Sequence, residues 1–306
     1  MIRFLARRLL AVVPIVLGVI LVIMVTMDVI PGDPAALMLG QGATQEMVAR
    51  LRAELHLDQP LPVRYAGYIA RLTRGDLGTS IVDGRRVSQE IARAWVATLE
   101  LGSAALALSV AGGLLVGVLS AHWHRSAFDA LSRVIALLGL SMPVFWTGIV
   151  LIVVFSLWLR WLPSGGRGTW VHLVLPAVTL SVPSIATLAR VTRSAMLNVL
   201  HEDYIRTAYA KGARNATVLA RHALRNALIP VVTVLGLQLG QLLGGAILTE
   251  TVFSWPGAGR LLVQAISSRD YTLLEGAVVI LALTFVCTNL LVDIAYAYLD
   301  PRIVYR

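Results

Sequence analysis

Six long stretches without a single Asp, Glu, Lys or Arg constrain this chain more than any motif does. They cover residues 9–27, 101–123, 134–159, 168–189, 226–249 and 276–292. A helix needs roughly 20 apolar residues, within a range of about 17–25, to cross about 30 Å of hydrocarbon. Each stretch meets that length, the last one barely. In lipid the backbone must satisfy its own hydrogen bonds, so spanning segments are helices or closed barrels. Barrel strands are shorter and alternate, so the pattern predicts six transmembrane helices. Composition agrees: 57% of residues are hydrophobic and 14% charged, with a mean hydropathy of +0.77, whereas soluble domains carry about 25% charged residues. The net charge of +9 reads as the basic excess of cytoplasmic loops rather than as nucleic-acid binding. Cys287 is the single cysteine, which excludes an internal disulfide or a thiolate metal cluster.

Arg3, Arg7 and Arg8 precede the first apolar stretch. That stretch exceeds the roughly 7–15 residues of a signal-peptide core, and no small-x-small site follows it, so an uncleaved anchor is expected. The basic start places the N-terminus in the cytoplasm, and an even number of spans returns the C-terminus there. The segment 190–225 then also lies inside. It holds Arg190, Arg193, Arg206, Lys211, Arg214, Arg221 and Arg225 against Glu202 and Asp203, the strongest basic bias in the chain. The outer segment 28–96 is polar and balanced in charge. Residues 44–57 (Met47, Val48, Leu51, Leu55), 64–74 (Tyr65, Tyr68, Ile69, Leu72) and 87–95 (Val87, Ile91, Trp95) carry apolar side chains at helical spacing. They predict three short amphipathic helices forming a small cap.

Within the spans, Gly236, Gly240 and Gly244 recur every four residues, with Gly245 adjacent. Small residues at this spacing allow close helix packing; a second reading is a smooth face that slides during transport. Gly113 and Gly117 form a weaker version. Pro143 and Pro183 predict kinks. Asn289 and Asp293 share one face of the last span. Asp293 is therefore a candidate proton site, or a group satisfied by water near the cytoplasmic end. Glu100 and Glu250 fall at outer ends. The chain lacks a phosphate loop of the Gly-x-x-x-x-Gly-Lys type, a His-Glu-x-x-His helix and a Gly-x-Ser-x-Gly elbow. His122 and His124 lack further metal ligands, and Gly165-Gly166-Arg167-Gly168 is a short connection between spans.

The segment 203–230, DYIRTAYAKGARNATVLARHALRNALIP, is too long for a turn and too charged for lipid. Glu202 and Asp203 suit the positive end of a helix. Tyr204, Ile205, Ala208 and Tyr209 provide one apolar face, and Gly212 stops the helix. A second helix is expected over 217–228, with Pro230 marking entry into the next span. From charge alone this is equally a positive-inside loop with no partner.

The same segment resembles the cytoplasmic loop of permease subunits of ABC importers, known as the EAA motif. The matching residues are Asp203-Tyr204, Arg206-Thr207-Ala208, Ala210-Lys211-Gly212, His222-Ala223, Arg225-Asn226-Ala227 and Pro230. Arg206 stands where the general motif has Glu, as is usual in the peptide branch. Pro31-Gly32-Asp33-Pro34, Leu57-Asp58-Gln59-Pro60-Leu61, Gly75-Asp76-Leu77-Gly78, Thr98-Leu99, Pro256-Gly257 with Gly259, and Arg269-Asp270-Tyr271 extend the resemblance to the dipeptide/oligopeptide/nickel permease family along nearly the whole chain.

The resemblance implies an all-α integral membrane protein with the type I importer, MetI-like, permease fold. Residues 1–30 would hold the first span, 31–96 a small helical extracytoplasmic region, 97–298 a five-helix core with a coupling loop at 190–228, and 299–306 a cytoplasmic tail. It implies coupling to ATPases through Glu202, Asp203, Tyr204, Arg206, Thr207, Ala208, Lys211, Gly212, Ala213 and Arg225. It also implies partners: a second, homologous permease subunit, two cytoplasmic ATPase subunits that bind ATP and magnesium, and an extracytoplasmic substrate-binding protein. The chain itself would bind no cofactor and catalyse no reaction. The substrate would be a di- or oligopeptide, with glutathione or a nickel chelate as alternatives. A proton-coupled secondary transporter built on Asp293 and a passive membrane anchor are the readings from other classes.

Overall fold

A computed structural model of the chain describes residues 2–29, 33–39, 43–54 and 56–299. Pro31-Gly32, Leu55 and the tail beyond residue 299 lie outside the described residues, as do the side chains of Arg3, Arg7, Arg8, Gly245 and Asp293. The described residues are helical apart from turns and one isolated bridge between Thr79 and Arg86.

The helices in chain order are α1 (Ile2–Val29), α2 (Pro34–Leu39), α3 (Gln45–Glu54), α4 (Leu61–Leu72), α5 (Val87–His122), α6 (Ala127–Ser141), α7 (Val144–Leu151), α8 (Trp170–Leu200), α9 (Asp203–Ala210), α10 (Asn215–Thr217), α11 (Leu224–Val252), α12 (Ala258–Ser267) and α13 (Tyr271–Leu299). Wider π-type turns follow α7 (Ile152–Trp158) and α10 (Val218–Ala223). Five helical segments are long and apolar enough to span a membrane, and the pair α6–α7 makes a sixth if counted as one broken span.

Several expected boundaries shift. The amphipathic stretch at 87–95 is not a separate helix but the first turns of α5, which contains no Pro between Val87 and His122. The third stretch is not a kinked rod. Its two halves meet at 109°. Pro143 sits at the start of α7 rather than inside a helix, where its missing N–H costs nothing. It forces Met142 into an extended backbone, φ −82° and ψ 130°. By contrast, α8 runs unbroken through Pro176 and Pro183 and continues past Arg190 to Leu200. Residues 190–200, nearly a third of the expected loop at 190–225, are thus an extension of a span. The predicted second loop helix at 217–228 merges through the π turn into α11, which carries Pro230 in its interior.

The chain divides into two compact units. The first comprises the chain up to Ala97 with Pro256–Cys287. Here α4 packs on α1 through Tyr65, Tyr68 and Leu72, with Tyr68 meeting Val16, Ile20, Met24 and Val279. Burial pushes the Tyr68 hydroxyl above its usual pKa. Arg64 pairs with Asp28 at 2.8 Å. Two motifs far apart in sequence meet in this unit. Asp270 is buried, accepts hydrogen bonds from Ser80 Oγ, from Ile81 N and from Leu273 N, and so ties the 78–86 turn to the start of α13. Gly78, at φ +79°, faces Thr272 so closely that a Cβ would lie 2.8 Å from its methyl group.

The second unit comprises Thr98–Trp255 and the end of α13. Its central seam joins α5 to α8. A Cβ at Gly113 would lie 2.4 Å from Leu188 Cβ, and one at Gly117 would lie 2.5 Å from Thr192 Cβ and 2.7 Å from the Ala189 carbonyl. These two glycines, the weaker of the two small-residue patterns, stand where a neighbouring helix comes too close for a side chain. A Cβ at Gly244 would meet nothing within 4 Å. The connection 165–168 is held from two sides. Gly166 N donates to Phe253 O, and Arg167 pairs with Glu100 at 2.6 Å and lies over the Trp255 ring. Glu250 is not a solvated end group: it is fully buried, and Thr98 Oγ1 donates to it at 2.6 Å.

Candidate coupling loop

The chain leaves α8 at Leu200, turns through His201 and extends at Glu202, φ −72° and ψ 146°, before α9 begins at Asp203. Glu202 and Asp203 at this end suit the positive pole of the helix. The eight residues of α9 are too few to hold a helix in isolation, so three features support it.

The first is an anchor. Ile205 is 1% exposed and enters a small apolar core made of Ala121 from α5, Ala195 and Met196 from α8, Val218 and Ala223 from the π turn, and Ala227 from α11. Burying one such side chain contributes about 1.5–3 kcal/mol. Ala208 and Ala213, half-buried, pack on the same core.

The second is the terminus. Gly212 adopts φ +81°. Its N–H donates to Tyr209 O at 2.9 Å and Ala213 N donates to Ala208 O at 3.2 Å. This pair of bonds closes a helix end through a left-handed residue, where glycine is favoured. The third is a pair of side-chain ties. Asn226 Nδ2 donates to Tyr204 Oη at 2.7 Å, and Tyr209 Oη donates to Asn215 Oδ1 at 2.8 Å.

Tyr204 and Tyr209 are therefore not part of a buried apolar face, as the spacing suggested. They are 42% and 44% exposed and act as flanking struts, because eight residues offer room for only Ile205 and Ala208 against so narrow a floor. The outward surface carries Glu202, Asp203, Arg206, Thr207, Lys211 and Arg225, all exposed. Arg206 and Asp203 lie 3.5 Å apart, both widely exposed, which makes the pair weak. The result is a short, charged rod held by the ends of two spans.

One neighbouring cluster escaped the sequence reading. Asp129, in the first turn of α6, is 1% exposed. It accepts from Arg193 Nε at 2.6 Å and Nη2 at 2.9 Å, from Ser120 Oγ at 2.6 Å and from the Arg125 backbone N–H at 3.1 Å, with His124 Nδ1 at 3.5 Å. It locks the α5–α6 connection to α8 three turns before α9. Asp129 lies in the short polar connection between two uncharged stretches, 101–123 and 134–159. Nothing along the chain marks Arg193, 64 residues away, as its partner.

Residues 113–305 match the family of binding-protein-dependent transport system inner membrane components, and residues 1–101 match the N-terminal region described for the same membrane components. The chain belongs to this family. It is thus a non-catalytic, multi-pass membrane subunit of an ABC importer, which works in a complex with an ATPase and a substrate-binding protein. The chain is 43% identical to the glutathione transport system permease protein GsiC of Pectobacterium atrosepticum over the full length of both. It is 42% identical to GsiC of Salmonella typhimurium and 42% identical to the dipeptide permease DppB of Alkalihalophilus pseudofirmus, again over both full lengths. Two structures of the MetNI methionine ABC transporter in inward-facing conformations superpose with a TM-score of 0.58 at 20% identity. They cover 69% and 70% of this chain and 97% of the matching chain. The type I, MetI-like fold expected from the sequence is the fold found.

Proposed function

We propose that this chain forms half of the translocation pathway of an importer of short peptides, glutathione (itself a tripeptide) among them, and that α9 is its coupling element. The observation that carries the coupling role is the construction of α9: a buried Ile205 anchor, a closed Gly212 terminus and an exposed charged face, joined to α8 by a two-residue turn and to α11 through α10 and the π turn. Force applied to such a rod passes to the spans instead of dissipating in a loop. In this reading the N- and C-termini lie in the cytoplasm, as the arginine-rich start and the basic 190–225 segment require. Two ATPase subunits carry ATP and magnesium and close on nucleotide. A second, homologous permease completes the pathway, and an extracytoplasmic binding protein delivers the peptide. Glu202, Asp203, Arg206, Thr207 and Lys211 face an ATPase groove, while Tyr204, Ala208, Gly212 and Ala213 keep the rod in shape. Arg225 extends the basic surface at its far end. Gly236, Gly240 and Gly244 offer a smooth face to the second permease. Moving an occupancy from 1:99 to 99:1 takes about 5.5 kcal/mol, a load that nucleotide-driven closure bears.

The full-length relatives support the peptide and glutathione assignment. Family membership replaces the proton-coupled reading built on Asp293. The deciding experiment places a lone cysteine at Arg206 in a Cys287→Ser background of the assembled transporter. The expected outcome is a crosslink to the ATPase subunit that depends on nucleotide state, with uptake of glutathione or a dipeptide in proteoliposomes. Absence of any crosslink in a transporting complex overturns the coupling assignment; active uptake of neither peptide class overturns the substrate assignment.

A further inference from the structure

A groove between α5, α6 and α8 has two chemically distinct ends. One end is a cavity of about 450 Å³ lined by Arg133, Arg190 and Arg193 together with Ser120, Ser132 and Ser194. The other is an apolar groove of about 240 Å³ lined by Phe128, Leu131, Ile135, Gly139, Val182 and Ile185. Val116, Ser132, Ala136 and Ala189 line both, so the two adjoin.

The charges at the polar end do not cancel. Asp129 is the carboxylate beside it, and Arg193 occupies both of its oxygens. Arg133 is 60% exposed, lies 3.8 Å from the Asp129 carboxylate and donates through Nε to the Asp129 backbone oxygen at 3.4 Å, which leaves its two Nη groups open. Arg190 is exposed and makes no ion pair or side-chain hydrogen bond among the described residues. Two guanidinium groups therefore remain for a ligand, and guanidinium binds phosphate oxygens in a bidentate fashion.

The depth of the groove also matters. Arg190 is the first charged residue after the uncharged stretch 168–189, and the apolar end is lined by α6 and α8 within span-forming segments. Arg133 likewise borders the uncharged stretch 134–159, so both guanidinium groups lie at the border of the hydrocarbon, while Ile135, Gly139, Val182 and Ile185 of the apolar groove fall within the uncharged stretches. A soluble anion fills one half of such a site and leaves the other half facing lipid. A molecule with a phosphate head and an alkyl chain fills both. Basic pockets between transmembrane helices on the positive side are the places where anionic headgroups bind.

We propose that this groove is a binding site for one anionic glycerophospholipid, its phosphate on Arg133 and Arg190 and one acyl chain along Phe128, Ile135 and Ile185. The Asp129–Arg193 pair forms the wall of the site and directs Arg190 outward. Bound there, the lipid joins α6 to α8 at the end of α8 that leads into α9.

The test uses the assembled transporter in nanodiscs of equimolar phosphatidylcholine and phosphatidylglycerol, released and weighed by native mass spectrometry. The wild type is expected to retain phosphatidylglycerol in preference to phosphatidylcholine. Arg133→Gln with Arg190→Gln should weaken retention roughly thirtyfold, equivalent to about 2 kcal/mol. Arg133→Lys with Arg190→Lys keeps the charge and should keep most of the lipid, which controls for folding. Ile135→Trp, which fills the apolar end and leaves the charges alone, should also displace the lipid. Equal retention in the double Gln variant and the wild type overturns the site. So does equal retention of the two lipids by the wild type. Full retention in Ile135→Trp, or release by millimolar inorganic phosphate alone, identifies a free-anion site instead and equally overturns the proposal.

Discussion

Gly212 is the most exposed test of the coupling mechanism. A Cβ built there meets nothing within 4 Å, so a substitution introduces no clash, and its whole effect comes from the backbone at φ +81°. For Ala the left-handed conformation costs about 1–2 kcal/mol. Asn costs less, and a β-branched Val costs more. A shift of 1–2 kcal/mol changes a local equilibrium roughly 5- to 30-fold. The alternative state is one in which the Gly212–Tyr209 and Ala213–Ala208 bonds open and the last turn of α9 unwinds, while Ile205 still anchors the first. Lys211 and Thr207 then lose their fixed positions, but the spans do not. The assay is uptake per ATP hydrolysed by the reconstituted complex, with assembly checked by co-purification. Gly212→Asn should stay near wild type, Gly212→Ala should lose several-fold, and Gly212→Val should hydrolyse ATP with little uptake. Wild-type coupling in Gly212→Val would refute the mechanism. An equal loss in Asn, Ala and Val would show that side-chain bulk at a protein contact, not the backbone, is responsible.

Other expectations follow from the packing. Ile205→Ala removes the anchor and should cost about 2–5 kcal/mol locally, reducing uptake more than Arg206→Ala does; equal effects would argue that α9 is held by its partner rather than by this chain. Arg193→Met takes the bidentate partner from buried Asp129 and leaves it Ser120, the Arg125 N–H and the more distant His124 and Arg133, at a cost of up to about 3–5 kcal/mol, seen as a lower melting temperature of the complex. Adding Asp129→Leu should recover most of that loss. Gly117→Val drives a side chain into the Ala189 carbonyl and should cost at least about 1–3 kcal/mol, whereas Gly244→Ala should leave stability unchanged. A transport defect in Gly244→Ala with normal stability then supports the proposed contact with a second permease.

Much of this protein was determined by local chemistry along the chain. Uncharged runs long enough for lipid have one backbone solution, and so five of the six spans were legible from charge alone. Glycine at a left-handed helix end is equally local, and Gly212 terminates α9 where its spacing indicated. The bent third span is a tertiary decision, since Pro143 permits either a kink or a break and only packing of α7 against α8 and α11 selects the break. So is the close approach of α5 to α8 at Gly113 and Gly117, while Gly244 of the longer pattern faces open space. Most of all, Asp129 with Arg193, Thr98 with Glu250, and Ser80 with Asp270 join residues separated by 64, 152 and 190 positions. A charge in a turn looks solvated until another helix takes away its water, and which helix does so is settled by the folded chain.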